Sequence, residues 1–293
     1  MNVALVILNY NSSDLTIKLA KHLSAFGTGV HVIVVDNCSP DGSYHTMVQA
    51  LGSTPNVDIM ITEENRGYSA GNNFGFRYAI EKYDVDTVGV LNPDVWIEDR
   101  SLIDNLYRKL YQKEEYAVIG GATLDAAGQF FAGAVGWNLP SNRELISNFL
   151  INNKKLTSCP DFDEVEHGLA KVDCVVGCFF LMKASALKKI GFLDEGVFLY
   201  NEENLLGFKC KEHGFAEVVA LDQFYHHNHN YDSLKTESLR SKFGRLKAMY
   251  RSRKYLCQKY YPGYLRFFLA AANAENYCLS ILSFMKHRLL GGR

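Results

Sequence analysis

Two adjacent carboxylates, Glu202 and Glu203, follow the apolar stretch Phe198-Leu199-Tyr200 and open a segment with helical spacing. A carboxylate partly desolvated beside aromatics acquires a raised pKa, which suits it to accept a proton from a hydroxyl. The same pair also has a structural reading, as charges that complement a helix dipole. Asp94 closes an apolar run within Asn92-Pro93-Asp94. It can offer an oxygen to Mg²⁺ or Mn²⁺ while a diphosphate supplies others; after Asn-Pro it serves equally as a turn residue. Phe224-Tyr225-His226-His227-Asn228-His229 sets three histidines in four residues. In an extended segment His227 and His229 share a face and can meet a metal or a diphosphate, or stand as exposed imidazoles. A closed zinc site would need Cys or His partners that are not nearby in the chain. The loop from Asn65 to Gly75 combines small residues, which permit close backbone approach to a ligand, with Asn side chains that donate and accept at once. Its glycines weaken a helix, so another requirement keeps them there. The chain has neither GxxxxGK nor GxGxxG, so a nucleotide's diphosphate must be held without a glycine cradle, and a divalent cation is the alternative.

The elements that must position these residues alternate. Apolar strand signals at 3–8, 31–35, 57–61 and 87–91 are separated by helix signals at 12–26, 44–51 and 69–82. Such βα units predict an α/β protein with a parallel sheet. Ligands of open α/β sheets bind at the carboxyl ends of the strands. There the chain places Asn9 and Asn11, then Asp36 and Asn37, then Asn65, then Asn92 and Asp94. Loops are polar in most proteins, but four successive strand ends carrying Asn or Asp mark a ligand edge. Residues 122–170 read as irregular, after which Val172–Met182 is an apolar run. A short helix at 184–190, a helix at 202–213 and a strand at 216–221 follow. Cys174 and Cys178 read as small buried core residues.

The 293 residues are 47% hydrophobic and 22% charged, the balance of an ordinary globular chain, which excludes a disordered one. No apolar run reaches the roughly 18–20 residues of a membrane span. The N-terminus lacks the basic region of a secretory signal, and the seven scattered cysteines suit a reducing compartment, so a cytoplasmic location is expected. From Leu234 onward the chain carries 13 Lys and Arg against Glu237 and Glu275, beside an acidic body. That argues against a nucleic-acid-binding body and leaves a basic helical region at 234–293 for an anionic surface. Tyr264–Phe284 is apolar but broken by Arg266, Asn273, Glu275 and Asn276. It is too polar to span a bilayer and fits an interfacial helix or one packed on the preceding domain, 1–233.

In order along the chain, Val6-Ile7-Leu8-Asn9-Tyr10-Asn11, Val34-Val35-Asp36-Asn37-Cys38-Ser39, Asn65 to Gly75, Leu91-Asn92-Pro93-Asp94, Gly177-Cys178-Phe179-Phe180-Leu181, Gly191-Phe192-Leu193-Asp194-Glu195 and Tyr200-Asn201-Glu202-Glu203 resemble glycosyltransferase family 2, the inverting enzymes of the GT-A fold. The resemblance spans roughly Val3 to His229. It implies a nucleotide-sugar half at about 1–121 and an acceptor half at about 122–233. Asn9 and Asn11 would lie by the nucleotide, and Asp36, followed by Asn37, would bind base or ribose. Asn65, Gly67 and Asn73 would line the pocket. Asn92-Pro93-Asp94 would be the DxD-type element, with Asp94 on a divalent Mg or Mn ion and His227 or His229 beside the metal and diphosphate. Glu203 falls where the family has its catalytic Asp, with Glu202 preceding it, and Leu205 replaces an acidic residue often found two positions later. The implied donor is a UDP- or dTDP-linked sugar, and the acceptor a saccharide or lipid-linked saccharide. Within the family the chain looks most like bacterial rhamnosyltransferases of surface polysaccharide synthesis, peripheral on the inner face of the cell membrane. Two rival classes are a sugar nucleotidyltransferase and a non-catalytic glycan-binding module. The first should carry a glycine-rich, basic N-terminal loop, which Val6–Asn11 lacks; the second needs neither metal nor base.

Overall fold

The computed structural model describes residues 1–124, 135–150, 164–166, 168–228 and 238–290. His229 lies outside the described residues. The chain opens with β1 (Val3–Asn9), α1 (Ser13–Ser24), β2 (Val30–Asp36), α2 (Ser43–Leu51), β3 (Val57–Ile61), α3 (Tyr68–Tyr83) and β4 (Thr87–Leu91). Next come β5 (Val95–Trp96), α4 (Ser101–Leu110), β6 (Tyr116–Leu124), β7 (Gly136–Trp137), α5 (Asn142–Leu150), β8 (Glu164–Glu166), β9 (Leu169–Val172) and β10 (Cys174–Val175). β11 (Phe179–Lys183), α6 (Ala184–Lys189), α7 (Glu202–Glu212), β12 (Ala216–His227), α8 (Leu239–Tyr260) and α9 (Leu265–Leu290) complete it.

The described residues form two compact units. The first holds residues 1–124, 135–138, 164–166, 168–195 and 202–228; the second holds 139–150, 196–201 and 238–290. In the first, a ten-stranded sheet has the order β3-β2-β1-β4-β11-β6-β12-β9-β8, with β5 pairing the end of β12. β1 to β4 are parallel, and β6 and β12 are parallel to each other. β11 runs against its neighbours β4 and β6. Because it runs backwards, the loop before β11 enters the sheet at the edge where the others end, and the Asn92 N–H donates to the Cys178 carbonyl at 2.8 Å.

Both faces of the sheet are covered, as the continuous apolar strands require. Val3, Leu5 and Ile7 of β1 pack on one side with Leu19 and Leu23 of α1, Met47 of α2 and Leu106 of α4. Ala4 and Val6 face the other side with Phe76 of α3, Leu187 of α6 and Leu206 of α7. Each fully buried Val, Leu or Ile contributes roughly 1.5–3 kcal/mol.

Three differences from the sequence reading bear on the site. The apolar run Val172–Met182 is not one strand: β9, β10 and β11 divide it at Asp173 and at Val176–Cys178, and the second break forms part of the ligand edge. The strand at 216–221 continues to His227 through an irregularity between Ala220 and Phe224. Gly71 and Gly75 sit inside α3, where a Cβ would lie 2.4 Å from Leu8 Cδ1 and 2.7 Å from Val6 Cγ1. These glycines let the helix approach the sheet rather than a ligand.

In the second unit α8 packs on α9, and α9 on α5. The Ser238 side chain caps α8 by accepting from the Ser241 N–H. No helix among the described residues is long and apolar enough to cross a membrane.

Candidate active site

The parallel register of β1 and β2 sets Asn9 opposite Asp36. Asn9 Nδ2 donates to Asp36 Oδ2 at 2.7 Å, and the Ser39 N–H donates to Asp36 Oδ1 at 2.7 Å. Asn9 Oδ1 accepts from Ser12 Oγ at 3.1 Å and Thr16 Oγ1 at 2.9 Å, while the Asn11 N–H donates to Ser39 Oγ. Asn37 Nδ2 donates to Asn65 Oδ1 at 3.0 Å and to the Gly67 carbonyl at 3.2 Å, and Thr62 Oγ1 donates to Asn37 Oδ1. The Gly67 N–H returns to Asn65 Oδ1 at 3.0 Å. Gly67 has φ 98°, a left-handed backbone that favours glycine, and it turns the chain into α3. Asn9, Asn11, Asp36, Asn37, Asn65 and Gly67 therefore form one hydrogen-bonded floor at the carboxyl ends of β1, β2 and β3.

Asn9 is fully buried and spends its amide on Asp36, Ser39, Ser12 and Thr16, so it fixes the Asp36 carboxylate. Asn73 is also fully buried. Its amide donates to the Leu193 carbonyl and Glu195 Oε1, and it accepts from the Leu193 N–H at 3.0 Å. It anchors the 193–195 turn. Asp36 is sealed from solvent as well, but two donors leave a carboxylate with further lone pairs. Outward, the floor presents Asn11 and Tyr10, the latter 49% exposed.

The second group gathers where β4, β11 and β12 meet. Pairing of β5 with β12 sets His227 opposite Val95, and His227 Nε2 lies 3.4 Å from Asp94 Oδ1. The Asn228 N–H donates to the Asp94 carbonyl at 2.9 Å. Burial alone lowers the His227 pKa, but the Asp94 carboxylate and Cys178 outweigh it and push the imidazole up to about 10. Asn92 holds the turn through its carbonyl, which accepts from the Val95 N–H at 3.1 Å. Together Asp94 and, once a cation displaces its proton, His227 offer one carboxylate oxygen and one imidazole nitrogen. No group of three or more His, Cys, Asp or Glu suited to a metal occurs among the described residues. A two-donor half-site of this kind fits a divalent ion that takes its remaining ligands from a diphosphate and water.

Glu202 and Glu203 form the first turn of α7. Tyr200 and Asn201, just before them, both have left-handed backbones, at φ 77° and 67°. Such strain in non-glycine residues concentrates at functional loops. Burial raises the Glu203 pKa, opposed by hydrogen bonds from its own N–H and from the Gly177 N–H. The packing is close: a Cβ on Gly177 would lie 2.6 Å from Glu203 Oε1. The Tyr68 hydroxyl donates to the Gly177 carbonyl. Burial, then the charges of Glu203, Glu202, Cys178 and Asp94, holds the Tyr68 pKa well above its ordinary value. Tyr68 thus stands amid the acidic groups of the site, one residue after Gly67 of the floor. Sequence reasoning gave Tyr68 and Gly177 no role and read Cys178 as a buried core residue, which it is; an aromatic inside a run of Gly and Asn was the available signal for Tyr68.

A family model described as Glycosyl transferase family 2 matches residues 4–191. The low-salt glycan biosynthesis hexosyltransferase Agl10 of Haloferax volcanii is 26% identical over 239 residues, covering 81% of this chain and 70% of that protein. Among solved structures, the mannosyltransferase PcManGT of Pyrobaculum calidifontis, in complex with GDP-Man and Mn²⁺, aligns with a TM-score of 0.57 at 13% identity. That alignment covers 100% of this chain and 76% of the mannosyltransferase. GalNAc-T7 with UDP, GalNAc and Mn²⁺ aligns with a TM-score of 0.54 at 13% identity, over 98% of this chain and 57% of its own.

Proposed function

The chain belongs to glycosyl transferase family 2, and from that premise we propose that it moves a hexosyl unit from a nucleoside diphosphate sugar to a hydroxyl of a saccharide or lipid-linked saccharide, inverting the anomeric centre, in the synthesis of a surface glycan. Support comes from the Haloferax relative's name, a glycan biosynthesis hexosyltransferase, and from the nucleotides and Mn²⁺ bound by the two structural neighbours. A deoxyhexose such as rhamnose falls within this donor class, and UDP-, dTDP- and GDP-linked sugars are the candidates to test.

In this reading Tyr10 offers the base an aromatic surface, while Asp36 and Asn37 receive base and ribose on the floor that Asn9 and Asn65 fix. Asp94 and His227 would hold a divalent ion, Mn²⁺ in preference to Mg²⁺ because one donor is an imidazole, and the chemistry it would supply there is neutralisation of charge developing on the departing diphosphate. Glu203 takes the acceptor hydroxyl's proton as the oxygen forms its bond to the anomeric carbon and the bond to the diphosphate breaks. Its raised pKa brings the carboxylate nearer to the basicity this step requires. Tyr68 and Gly177 position that carboxylate. Transfer at the cytoplasmic face of a membrane agrees with the free cysteines among the described residues and with the basic region from α8 onward, which suits an anionic surface.

The observation that carries the proposal is the half-buried Glu203 carboxyl, held by the Gly177 N–H and sharing the Tyr68 surroundings with Asp94. Glu203→Gln should abolish sugar transfer while sparing nucleotide binding. Glu202→Gln should retain most activity, because Glu203 and not Glu202 is set against Gly177. An active Glu203→Gln enzyme would remove Glu203 from the role.

A further inference from the structure

The seam between α8 and α9 combines features that neither the fold nor the transfer reaction uses. α8 carries eight Lys and Arg and no acidic residue over its 22 positions. Lys242, Arg245, Leu246, Met249 and Arg253, at helical spacing, line one wall of a cavity of about 160 Å³; Asn276, Leu279 and Ser280 of α9 line the other. The space has room for a phosphate group with part of its hydration. Arg253 is only 9% exposed, so its guanidinium reaches the cavity from inside the packed pair.

α9 is apolar on two faces. Leu265, Leu269 and Ala272 point inward and are buried. Phe267, Ala271, Ala274, Cys278 and Ile281 follow one another at three- and four-residue steps, and all are exposed. Phe267 is 85% exposed, and Leu282, beside the stripe, 61%. The stripe lies on the face of α9 opposite Asn276 and Ser280, so with the stripe in hydrocarbon the seam and the basic α8 lie on its water side, towards the anionic heads.

The geometry points to a lipid-phosphate site: the Lys242–Arg245–Arg253 seam receives the phosphate of an anionic membrane lipid while the Phe267–Ile281 stripe lies in the interface. Guanidinium forks and an ammonium at one cavity match the several acceptor oxygens and charge of a phosphate. This deepens, and rests on, the reading that the basic region meets an anionic membrane; it does not depend on Glu203 or on glycosyl transfer.

The test is co-sedimentation of the full chain with phosphatidylcholine vesicles containing or lacking phosphatidylglycerol. Each cation near an anionic leaflet strengthens partitioning about fivefold. Lys242→Ala/Arg245→Ala should weaken binding to the anionic vesicles about 25-fold, with the melting curve unchanged. Lys247→Ala/Arg251→Ala, an equal charge change on the outer face of α8, should weaken it about fivefold at most. Equal losses in the two pairs, or equal binding of the wild type to both vesicles, would overturn the site. Stabilisation by inorganic phosphate without vesicle binding would assign the seam to a soluble phosphate and overturn the lipid. A dimer abolished by Ile281→Ser, again without vesicle binding, would assign the stripe to a second copy. Nucleotide release from a donor sugar in free solution should be unchanged in the seam pair. Wild-type vesicle binding without any donor turnover would leave this inference standing and sink the transferase reading, and the converse result would do the opposite.

Discussion

Gly177→Ala isolates the contact on which the proposed base depends. Gly177 does not have the left-handed backbone that would bar alanine, so the substitution acts through its methyl group alone. That methyl would lie 2.6 Å from Glu203 Oε1 and 3.1 Å from Cγ and Cδ. To reach an ordinary contact of 3.4 Å the carboxylate must retreat by about 0.8 Å. A displacement near 1 Å costs a catalytic group on the order of 10²-fold in rate. The cost to folding falls at the low end of the roughly 1–3 kcal/mol of an added methyl, because the atom that yields is the far end of a flexible side chain. The expected result is kcat lowered roughly 50- to 100-fold with nucleotide affinity and melting temperature little changed, read by nucleoside diphosphate release and thermal denaturation. In a Glu203→Ala background the methyl has room, so the double-mutant cycle should show a coupling of about 1 kcal/mol in stability. Wild-type kcat in Gly177→Ala, or equal destabilisation in both backgrounds, would refute the contact.

Other perturbations have defined outcomes. Glu217 is buried and its Oε2 accepts from the Val175 N–H, yet burial raises its pKa from 4.5 to about 8. Its contribution is fully present below pH 4.5, where both states are protonated, and is lost as pH rises through about 8. The loss is on the order of 4–5 kcal/mol by linkage, and urea unfolding from pH 5 to 9 should show it, with the slope flattened in Glu217→Gln. Asn73→Ala leaves the Leu193 N–H and carbonyl unpaired in a buried site and should cost about 2–4 kcal/mol; a loss below about 1 kcal/mol in urea unfolding would contradict its anchoring role. Tyr68→Phe removes the hydroxyl that donates to Gly177 and should lower kcat roughly tenfold, worth about 1.4 kcal/mol, without changing donor affinity in titration calorimetry.

The fold was legible because its strands are continuous apolar runs separated by stretches of helical spacing. The edge residues Asn9, Asp36, Asn65 and Asp94 followed from where those runs stop. Less legible was which of them point outward. Asn9 and Asn73 are Asn residues in polar loops, like Asn11 and Asn65, and only the three-dimensional hydrogen bonds show that their amides are spent on Asp36 and Leu193. The Val172–Met182 run has no polar break stronger than Asp173 and Gly177, so periodicity could not divide it; the antiparallel entry of β11 does. Tyr68 and Gly177 escaped because their importance lies in touching residues 109 and 26 positions away. The glycines of α3 were recognised as meaningful but for another reason, since closeness to Leu8 and Val6 leaves no trace in local spacing.

Titration calorimetry of UDP, dTDP and GDP, with and without Mn²⁺, into the wild type and Asp94→Ala tests the central claim most directly. The account predicts that one of the three binds only with metal, and that Asp94→Ala weakens this binding by roughly tenfold or more. Binding of none of them, or metal-independent binding that Asp94→Ala leaves intact, would contradict it.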